Sequence, residues 1–570
     1  MAVIPAEFPP PVARDEFVAS PTAPEDERID VGVLIVGGGP AGLAAAIRLQ
    51  QLVNADPAVA EMLGETPVAL VEKGRQVGSH LLSGAVVRPQ PLLDLLPGAS
   101  MADFPTYGEV RKEAVYFMTE RTWQRILVPP PMKNHGNWVV SLSQLGRFLG
   151  DRAEELGVMV IPETSAQKLL VQDGAVRGVL TGDKGRGREG EELPNFEPGM
   201  EIHAGATVLA EGTQGHLTMQ AIDHFGLRAE TPQIWSLGVK EVWKVARPLD
   251  RVIHTLGWPL KMLSKRHGEF GGTWIYPMGQ DLVSIGLVVG LDSHDATTSA
   301  HDLLQAFKTH PKVAAILEGG ERHPKGWGAK TIPEGGTNAW PHKLYVPGAV
   351  FVGDGVGFTN VPALKGIHGA IYSGMMAAQS IYDALKAGEH PAAGTTLSRY
   401  DDMVKQSKTY RELWAQRAWR QGFAKGFIRG GVVMNMGIAS RGNAVPNLTT
   451  HADAEVEVKH FDREYPRPDG ALTFDKLSSV FAAGNRTRDD QPSHIRVERE
   501  VPLELAESWV NMCPAKVYEI GEEVEPANGA GPIVRVQVNA SNCIQCGAIT
   551  AKGGRLTPPE GGSGPEYQLT

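Results

Sequence analysis

The sequence predicts a chain of α/β plus α+β class: a doubly wound parallel sheet comes first, a β-rich unit is inserted into it, and a small mixed tail closes the chain. Three observations carry this. A strand, tight turn, helix and second strand run from Asp30 to Glu72; residues 235–291 alternate Val, Ile, Trp and Tyr; and the composition shifts after Arg441, where every cysteine lies.

Val33 to Val36 is a short apolar, β-branched run ending in glycines, and Ala41 to Val53 is Ala/Leu-rich at helical spacing. A polar stretch from Asn54 to Thr66 precedes the next strand, Val68 to Val71, so the parallel crossover is complete by Glu72. Residues 182–199 lack any period and read as an exposed loop or ribbon. Val350 to Asp354 reads as a strand returning to the first sheet, followed by a helix from His368 to Leu385. The resulting division is a flexible lead (1–29), a discontinuous first domain (30–232 and 346–438), a second domain (233–345) and a tail (439–570).

With 570 residues, 42% hydrophobic and 21% charged, the chain is long enough for several cores and ordinary for a globular protein. Its formal net charge of −10 lacks the basic footprint of a nucleic-acid binder. No run of about 18 apolar residues is present, so no helix is expected to span a bilayer. The Pro-rich, acidic lead matches neither a secretory signal nor an Arg-rich transit peptide, and it reads as the start of a cytoplasmic, bacterial protein.

Gly37, Gly39 and Gly42 fit G-x-G-x-x-G, which places a pyrophosphate against backbone amides at a helix N-terminus. Glu72 closes the second strand, where a carboxylate binds a ribose diol. A second glycine cluster at Gly353-Asp354-Gly355 offers a distant contact for an extended dinucleotide, which favours FAD over NAD. An Asp-Gly pair is also a turn signal in its own right.

Cys513, Cys543 and Cys546 form an unlikely disulfide framework and a better metal or cluster site, with inert core cysteines as the alternative. The segment Trp414 to Arg429 interleaves aromatics with Arg and Lys and continues to Met436, a mixture suited to a helix in a membrane interface or to a buried amphipathic helix. Pro91 to Pro97 is its expected companion.

Several motifs together resemble the electron transfer flavoprotein-ubiquinone oxidoreductase family: Val71-Glu72-Lys73, Gly78 to Ala85 with Ser83 and Gly84, Asn134-His135-Gly136-Asn137, His254 to Leu260, Lys365-Gly366-Ile367-His368 and Cys513-Pro514-Ala515. They keep their order over nearly the whole chain. The resemblance implies a glutathione-reductase-like, Rossmann-type FAD domain, a quinone-binding domain, and a ferredoxin-like domain with a 4Fe-4S cluster. It implies a monotopic enzyme at the cytoplasmic face of a bacterial inner membrane, taking electrons from electron transfer flavoprotein to quinone. By the same resemblance Lys73, Ser83, Gly84 and Gly366 join the FAD site, Gly271 and Gly272 hold the quinone, and Cys513, Cys543 and Cys546 ligate the cluster.

The family's further cysteine, three residues after Cys546, is Ile549 here. That leaves a cubane with a non-cysteine ligand, a three-iron cluster, or no cluster. Two other functions share the scaffold: a flavin monooxygenase or geranylgeranyl-type reductase, and a silent membrane docking protein.

Overall fold

In a computed structural model, residues 2–389, 397–424, 426–446, 448–524 and 532–570 are described. The first sheet has nine strands. At its centre Ile29–Val36 lies between Glu201–Leu209 and Val68–Val71, all parallel, with Met159–Ile161 beyond. Ala349–Phe351 returns from far along the chain to pair with Glu201–Leu209, as the sequence predicts. Val33 to Val36, Val68–Val71 and Ala349–Phe351 are buried on both faces and read as continuous apolar runs, while Met159–Ile161 lies more exposed. The helices Pro40–Ala55 and Ile367–Lys386 pack on one another against them, their crossing made close by Gly374, where a Cβ would stand 2.1 Å from the Ala41 carbonyl oxygen.

The second sheet has seven strands in the order Glu321–Pro333, Trp235–Lys244, Leu282–Gly290, Gly271–Met278, Val252–Gly257, Glu113–Met118 and Trp123–Ile126. Its last two members come from residues placed with the first domain on sequence. Glu113–Met118 joins by parallel pairing to Val252–Gly257, a long-range partnership that local patterning does not reveal. Residues 184–197 form the expected ribbon.

One expectation is corrected. The lead is not flexible: Val3 bridges Val458, Phe17 is buried, and Val18–Ala19 adds an edge strand beside Leu169 and Leu170. Its apolar residues satisfy edge hydrogen bonds and bury surface, which outweighs the Pro-rich composition. Within the polar stretch 54–66, Pro57–Leu63 is a helix held by buried Val59 and Leu63.

The tail holds a three-stranded antiparallel sheet, the helix Leu503–Met512 and a short helix, Ala548–Ala551. It has no core of its own: Val501, Leu505, Trp509 and Cys543 share one hydrophobic cluster with Leu237, Ile285, Leu303 and Trp327 of the second sheet and its helix.

Candidate active site

A cavity of about 610 Å³ runs between the two sheets and gathers residues from many segments far apart in the chain. Gly37, Gly39, Glu72, Lys73, Ser83, Gly84, Gly271, Gly272, Gly353, Asp354 and Gly366 all line it. Gly42 lies behind the wall.

The glycines of the turn have different reasons. Gly37 has φ +108°, and a Cβ there would meet the Ala210 carbonyl oxygen at 2.6 Å. A Cβ on Gly42 would stand 2.0 Å from the Gly37 carbonyl oxygen, so it permits the helix to approach the strand end. At Gly39 the nearest atoms would be 3.9 Å away. The chain does not require that glycine; the space beside it is open toward the cavity, as a cradle for a pyrophosphate needs. The N-terminus of the Pro40–Ala55 helix faces this space, and the N-terminus of Ile367–Lys386, preceded by Gly366, faces the same cavity.

Glu72 accepts hydrogen bonds from the Gly38 N–H at 2.8 Å and the Gly74 N–H at 2.7 Å. Its carboxylate holds the glycine turn in place, with lone pairs left toward the cavity. Asp354 accepts from Thr359 Oγ1 at 3.0 Å, and burial pushes its carboxyl above the usual range. Lys73 does not point only at the cavity: its ammonium donates to Gln545 Oε1, between the two tail cysteines. The backbone at Ser83 and Gly84 is fixed from the second sheet, where Lys240 Nζ donates to the Ser83 carbonyl at 2.9 Å and Ser284 Oγ to the Gly84 carbonyl at 2.8 Å.

Gly271 and Gly272 begin the strand Gly271–Met278. Gly271, at φ +152°, could carry no side chain, since a Cβ would lie 1.9 Å from the Val288 carbonyl oxygen. Period-two alternation puts Gly272, Trp274 and Tyr276 on one face, toward the cavity. Leu256, Met262, Phe270, Trp419, Phe423 and Met434 make this end of the cavity apolar. Deeper in, His254 Nε2 pairs with the Tyr276 hydroxyl at 2.6 Å; burial lowers the imidazole to about 3, so it is neutral. Lys365, lowered by burial to about 7, donates to Asn134 Oδ1 at 2.8 Å.

Sequence reading missed Lys240, His254, Tyr276 and Lys330 as cavity or wall residues. The signal available was a lysine inside the apolar strand Trp235–Lys244, which is costly to bury without a purpose. His368 is buried, its Nδ1 has no partner, and it does not line the cavity.

Of the two readings of the segment near 414–436, its arginines Arg417 and Arg420 follow the buried one. Arg417 donates to the carbonyls of Trp414, Gly442 and Val445, and Arg420 pairs with Asp292 and Glu334. These cations face inward because buried acids and carbonyls await them, so they do not reach lipid head groups. Lys425 lies outside the described residues, as do the side chains of Phe427 and Ile428. Leu92 and Leu95 of the expected companion helix are fully buried in the first core. Among the described residues no helix is long and apolar enough to cross a membrane.

The three cysteines are free thiols, drawn together from the end of Leu503–Met512 and the loop before Ala548–Ala551. Burial raises all three thiols, Cys546 to about 12 with a contribution from Cys513, and Cys543 with contributions from Cys546 and Cys513. Their loop reaches the cavity, which Gln545 and Gly547 line. Three thiols and the buried Ile549 do not make the donor set of a four-thiolate cubane.

Residues 235–332 match the family model described as "ETF-QO, ubiquinone-binding", and residues 470–568 match "Electron transfer flavoprotein-ubiquinone oxidoreductase, 4Fe-4S". A mitochondrial electron transfer flavoprotein-ubiquinone oxidoreductase of Caenorhabditis elegans is 37% identical over 94% of this chain and 91% of its own. The electron transfer flavoprotein-ubiquinone oxidoreductase of Pseudomonas aeruginosa is 37% identical over 95% and 99%. Among solved structures, a geranylgeranyl bacteriochlorophyll reductase-like protein of Thermoplasma acidophilum superposes with a TM-score of 0.54 at 19% identity, covering 75% of this chain and 94% of that one, a likeness of fold. The identity carried over nearly the full length, together with both domain matches, makes this chain a member of the electron transfer flavoprotein-ubiquinone oxidoreductase family.

Proposed function

We propose that this protein takes electrons from reduced electron transfer flavoprotein and delivers them to ubiquinone through FAD held in the cavity between its sheets. The observation that carries the reading is the continuity of that cavity: a pyrophosphate cradle at Gly37 to Ala41 and an apolar glycine-backed slot at Gly271 and Gly272 belong to one space.

Gly39 and the N-terminus of the Pro40–Ala55 helix would face the pyrophosphate, the Gly37 and Gly38 amides being held by Val71 and Glu72; Glu72 would accept from a ribose diol, and Asp354 with Gly353 and Gly366 would hold the ribityl end. Ser83 and Gly84, braced by Lys240 and Ser284, would bound the flavin ring. When bound, FAD supplies the exchange of electrons between a one-electron protein donor and a two-electron quinone. The chain's own part is placement and exclusion of water. Gly271 and Gly272 let a flat ring lie against backbone, and Phe270, Trp419 and Phe423 keep that end dry. No nucleophile or acid–base triad is needed.

The quinone's lipid solubility gives the apolar mouth its meaning. Leu127, 93% exposed, Leu364, 50% exposed, and Val432, 54% exposed, come from three separate segments that also contribute Ile126, Pro129, Met132, Gly431 and Met434 to the cavity wall. We place this rim in one leaflet, making the protein peripheral and monotopic, at the cytoplasmic face of a bacterial inner membrane.

The test is anaerobic turnover with reduced electron transfer flavoprotein and a short-chain ubiquinone. Oxidation of the flavoprotein coupled to quinone reduction, with a raised KM for quinone in Gly272→Ala, is expected. Rapid flavin bleaching by NAD(P)H instead would favour a monooxygenase or reductase. A flavin-free protein with no turnover would leave only a docking role.

A further inference from the structure

His254, on Val252–Gly257, and Tyr276, on Gly271–Met278, stand on adjacent antiparallel strands of the second sheet. His254 is directly opposite Trp274, so Tyr276 is its diagonal neighbour on the same face. Both side chains line the cavity, and they are only 2% and 5% exposed. His254 Nε2 and the Tyr276 hydroxyl are 2.6 Å apart, while His254 Nδ1 is buried with no hydrogen-bond partner in the protein.

Counting protons on this pair leaves one over. Burial keeps the imidazole neutral and the phenol protonated, so the ring carries one N–H and the hydroxyl one O–H. Their mutual bond uses one of the two. If Tyr276 donates to Nε2, the Nδ1–H is left unmatched; if Nε2–H donates to Tyr276, the phenol O–H is. A donor left unmade in a buried wall costs roughly 1 to 3 kcal/mol. The neighbouring polar groups are bonded: Trp274 Nε1 donates to Ser284 Oγ at 3.2 Å, and Ser284 Oγ to the Gly84 carbonyl at 2.8 Å.

The strand Gly271–Met278 runs along the cavity from its apolar mouth inward. Phe270, packed on Trp419 and Phe423, precedes it at the mouth. At the inner end a Cβ on Gly84 would stand 3.0 Å from Tyr276 Cε2. Gly272, Trp274 and Tyr276 follow one another on the cavity face at steps of about 7 Å. A flat ring on Gly272 whose apolar tail leaves through the mouth therefore turns its inner end toward Trp274 and the His254–Tyr276 pair. Lys365 lines the same cavity, its ammonium held by Asn134 Oδ1 at 2.8 Å, and the Asn134 N–H donates at 2.9 Å to Glu113 Oε2, on a half-exposed residue.

Given the reading of this cavity as a flavin and quinone site, we propose that His254 and Tyr276 are a proton-delivery pair, whose unmatched donor protonates the inner carbonyl oxygen of the quinone. Quinone, two electrons and two protons give quinol. The electrons come from electron transfer flavoprotein through the flavin. One O–H bond forms at the inner oxygen as the pair gives up its proton, and Lys365 restores that proton by losing one of its own, regained from the surface beside Glu113. The outer oxygen, nearer the mouth, takes its proton from water.

The test compares two acceptors, each driven by reduced electron transfer flavoprotein on the flavin-loaded full chain: a short-chain ubiquinone, and ferricenium, which takes one electron and no proton. Tyr276→Phe keeps the ring against Gly84 and removes the hydroxyl. His254→Gln keeps a hydrogen bond to the hydroxyl and cannot pass a proton on, which separates delivery from positioning. Each should lower the ratio of quinone to ferricenium turnover by on the order of 10²-fold, in kcat more than in the KM for quinone. Difference infrared spectra of bound, oxidised ubiquinone should show a carbonyl stretch lowered by the pair's hydrogen bond, returning toward the free value when Tyr276→Phe and His254→Phe are combined. Ratios within twofold of the parent in both single variants would overturn the proposal. So would an equal loss with both acceptors, or a carbonyl stretch that the combined variant leaves unmoved. Failure of the underlying functional reading looks different: the parent itself would reduce no quinone, and the pair would have nothing to protonate.

Discussion

Replacing Lys240 by methionine should stabilise the protein in mild acid and weaken its hold on flavin. Lys240 is fully buried, and its ammonium has the Ser83 carbonyl as hydrogen-bond partner with no carboxylate beside it. Burial lowers its pKa from 10.5 to about 7. At about 1.36 kcal/mol per tenfold change, that costs folding roughly 4 to 5 kcal/mol below pH 7, where both folded and unfolded chains are protonated. The sign follows from proton counting. Between about pH 7 and 10.5 the unfolded chain binds the extra proton, so the cost fades as pH rises and is gone above the unfolded value. Methionine has similar volume and no charge, but it leaves the Ser83 carbonyl without its donor, a loss of about 1 to 3 kcal/mol at any pH. Lys240→Met should therefore be more stable than the parent by roughly 2 to 3 kcal/mol at pH 6, and by pH 10 the advantage should be gone or reversed. Urea unfolding followed by tryptophan fluorescence at both pH values measures this. Other buried lysines, such as Lys330 and Lys365, titrate in both proteins and cancel in the difference. A stability difference that does not change with pH would refute the reasoning. Flavin release, measured in parallel, should be faster in the variant, because the Ser83-Gly84 turn loses its brace.

Three further outcomes are expected. Gly42→Ala drives a Cβ into the Gly37 carbonyl and should lose flavin along with about 1 to 3 kcal/mol of stability, while Gly39→Ala, with open space around it, should keep its unfolding midpoint yet bind FAD more weakly, as flavin fluorescence would show. Lys308→Ala takes away the ammonium 2.7 Å from the fully buried Glu241 carboxylate, leaving Arg322 at 3.9 Å with Trp243 and Gln305 as donors, and should cost about 3 kcal/mol in denaturant unfolding; pairing Lys308→Met with Glu241→Gln should restore most of it. Val432→Asp with Met436→Asp, two exposed positions on the helix Phe427–Ser440, should abolish flotation with anionic lipid vesicles while leaving turnover with a short-chain quinone intact.

The nucleotide site was legible because its constraints are local. A strand, three glycines, a helix and an acidic strand end lie within 45 residues of each other, and each has its own steric or electrostatic reason. Asp354 was legible for the same cause, a glycine-flanked strand end. Lys240, His254 and Tyr276 were not, because their role depends on which face of the second sheet meets the first, and pairing between Glu113–Met118 and Val252–Gly257 sets that face across more than a hundred residues. The Trp414 to Met436 segment stayed ambiguous for a related reason: an arginine that seeks lipid phosphate and one that pairs with buried Asp292 and Glu334 look the same in sequence. Ile549 shows the opposite case, where a side chain that cannot ligate iron, in a motif whose following loop is also short, could be read without any fold.

The tail, expected as a small module packed on the others, shares its core with the second sheet, and that changes how it can behave. Thr331, on the strand Glu321–Pro333, directs both its N–H and its hydroxyl at the Cys546 carbonyl, each at 2.9 Å, and Lys330 beside it holds the Gln545 carbonyl. Units joined by a linker swing apart and must find each other again before an electron can cross. Here the cysteine loop is sewn to a strand whose other residues wall the cavity, so the gap between them is a property of covalent geometry and sheet hydrogen bonds. Internal transfer should then be indifferent to solvent viscosity, and any slow, viscosity-sensitive phase in turnover would belong to the docking of the donor protein or the arrival of quinone.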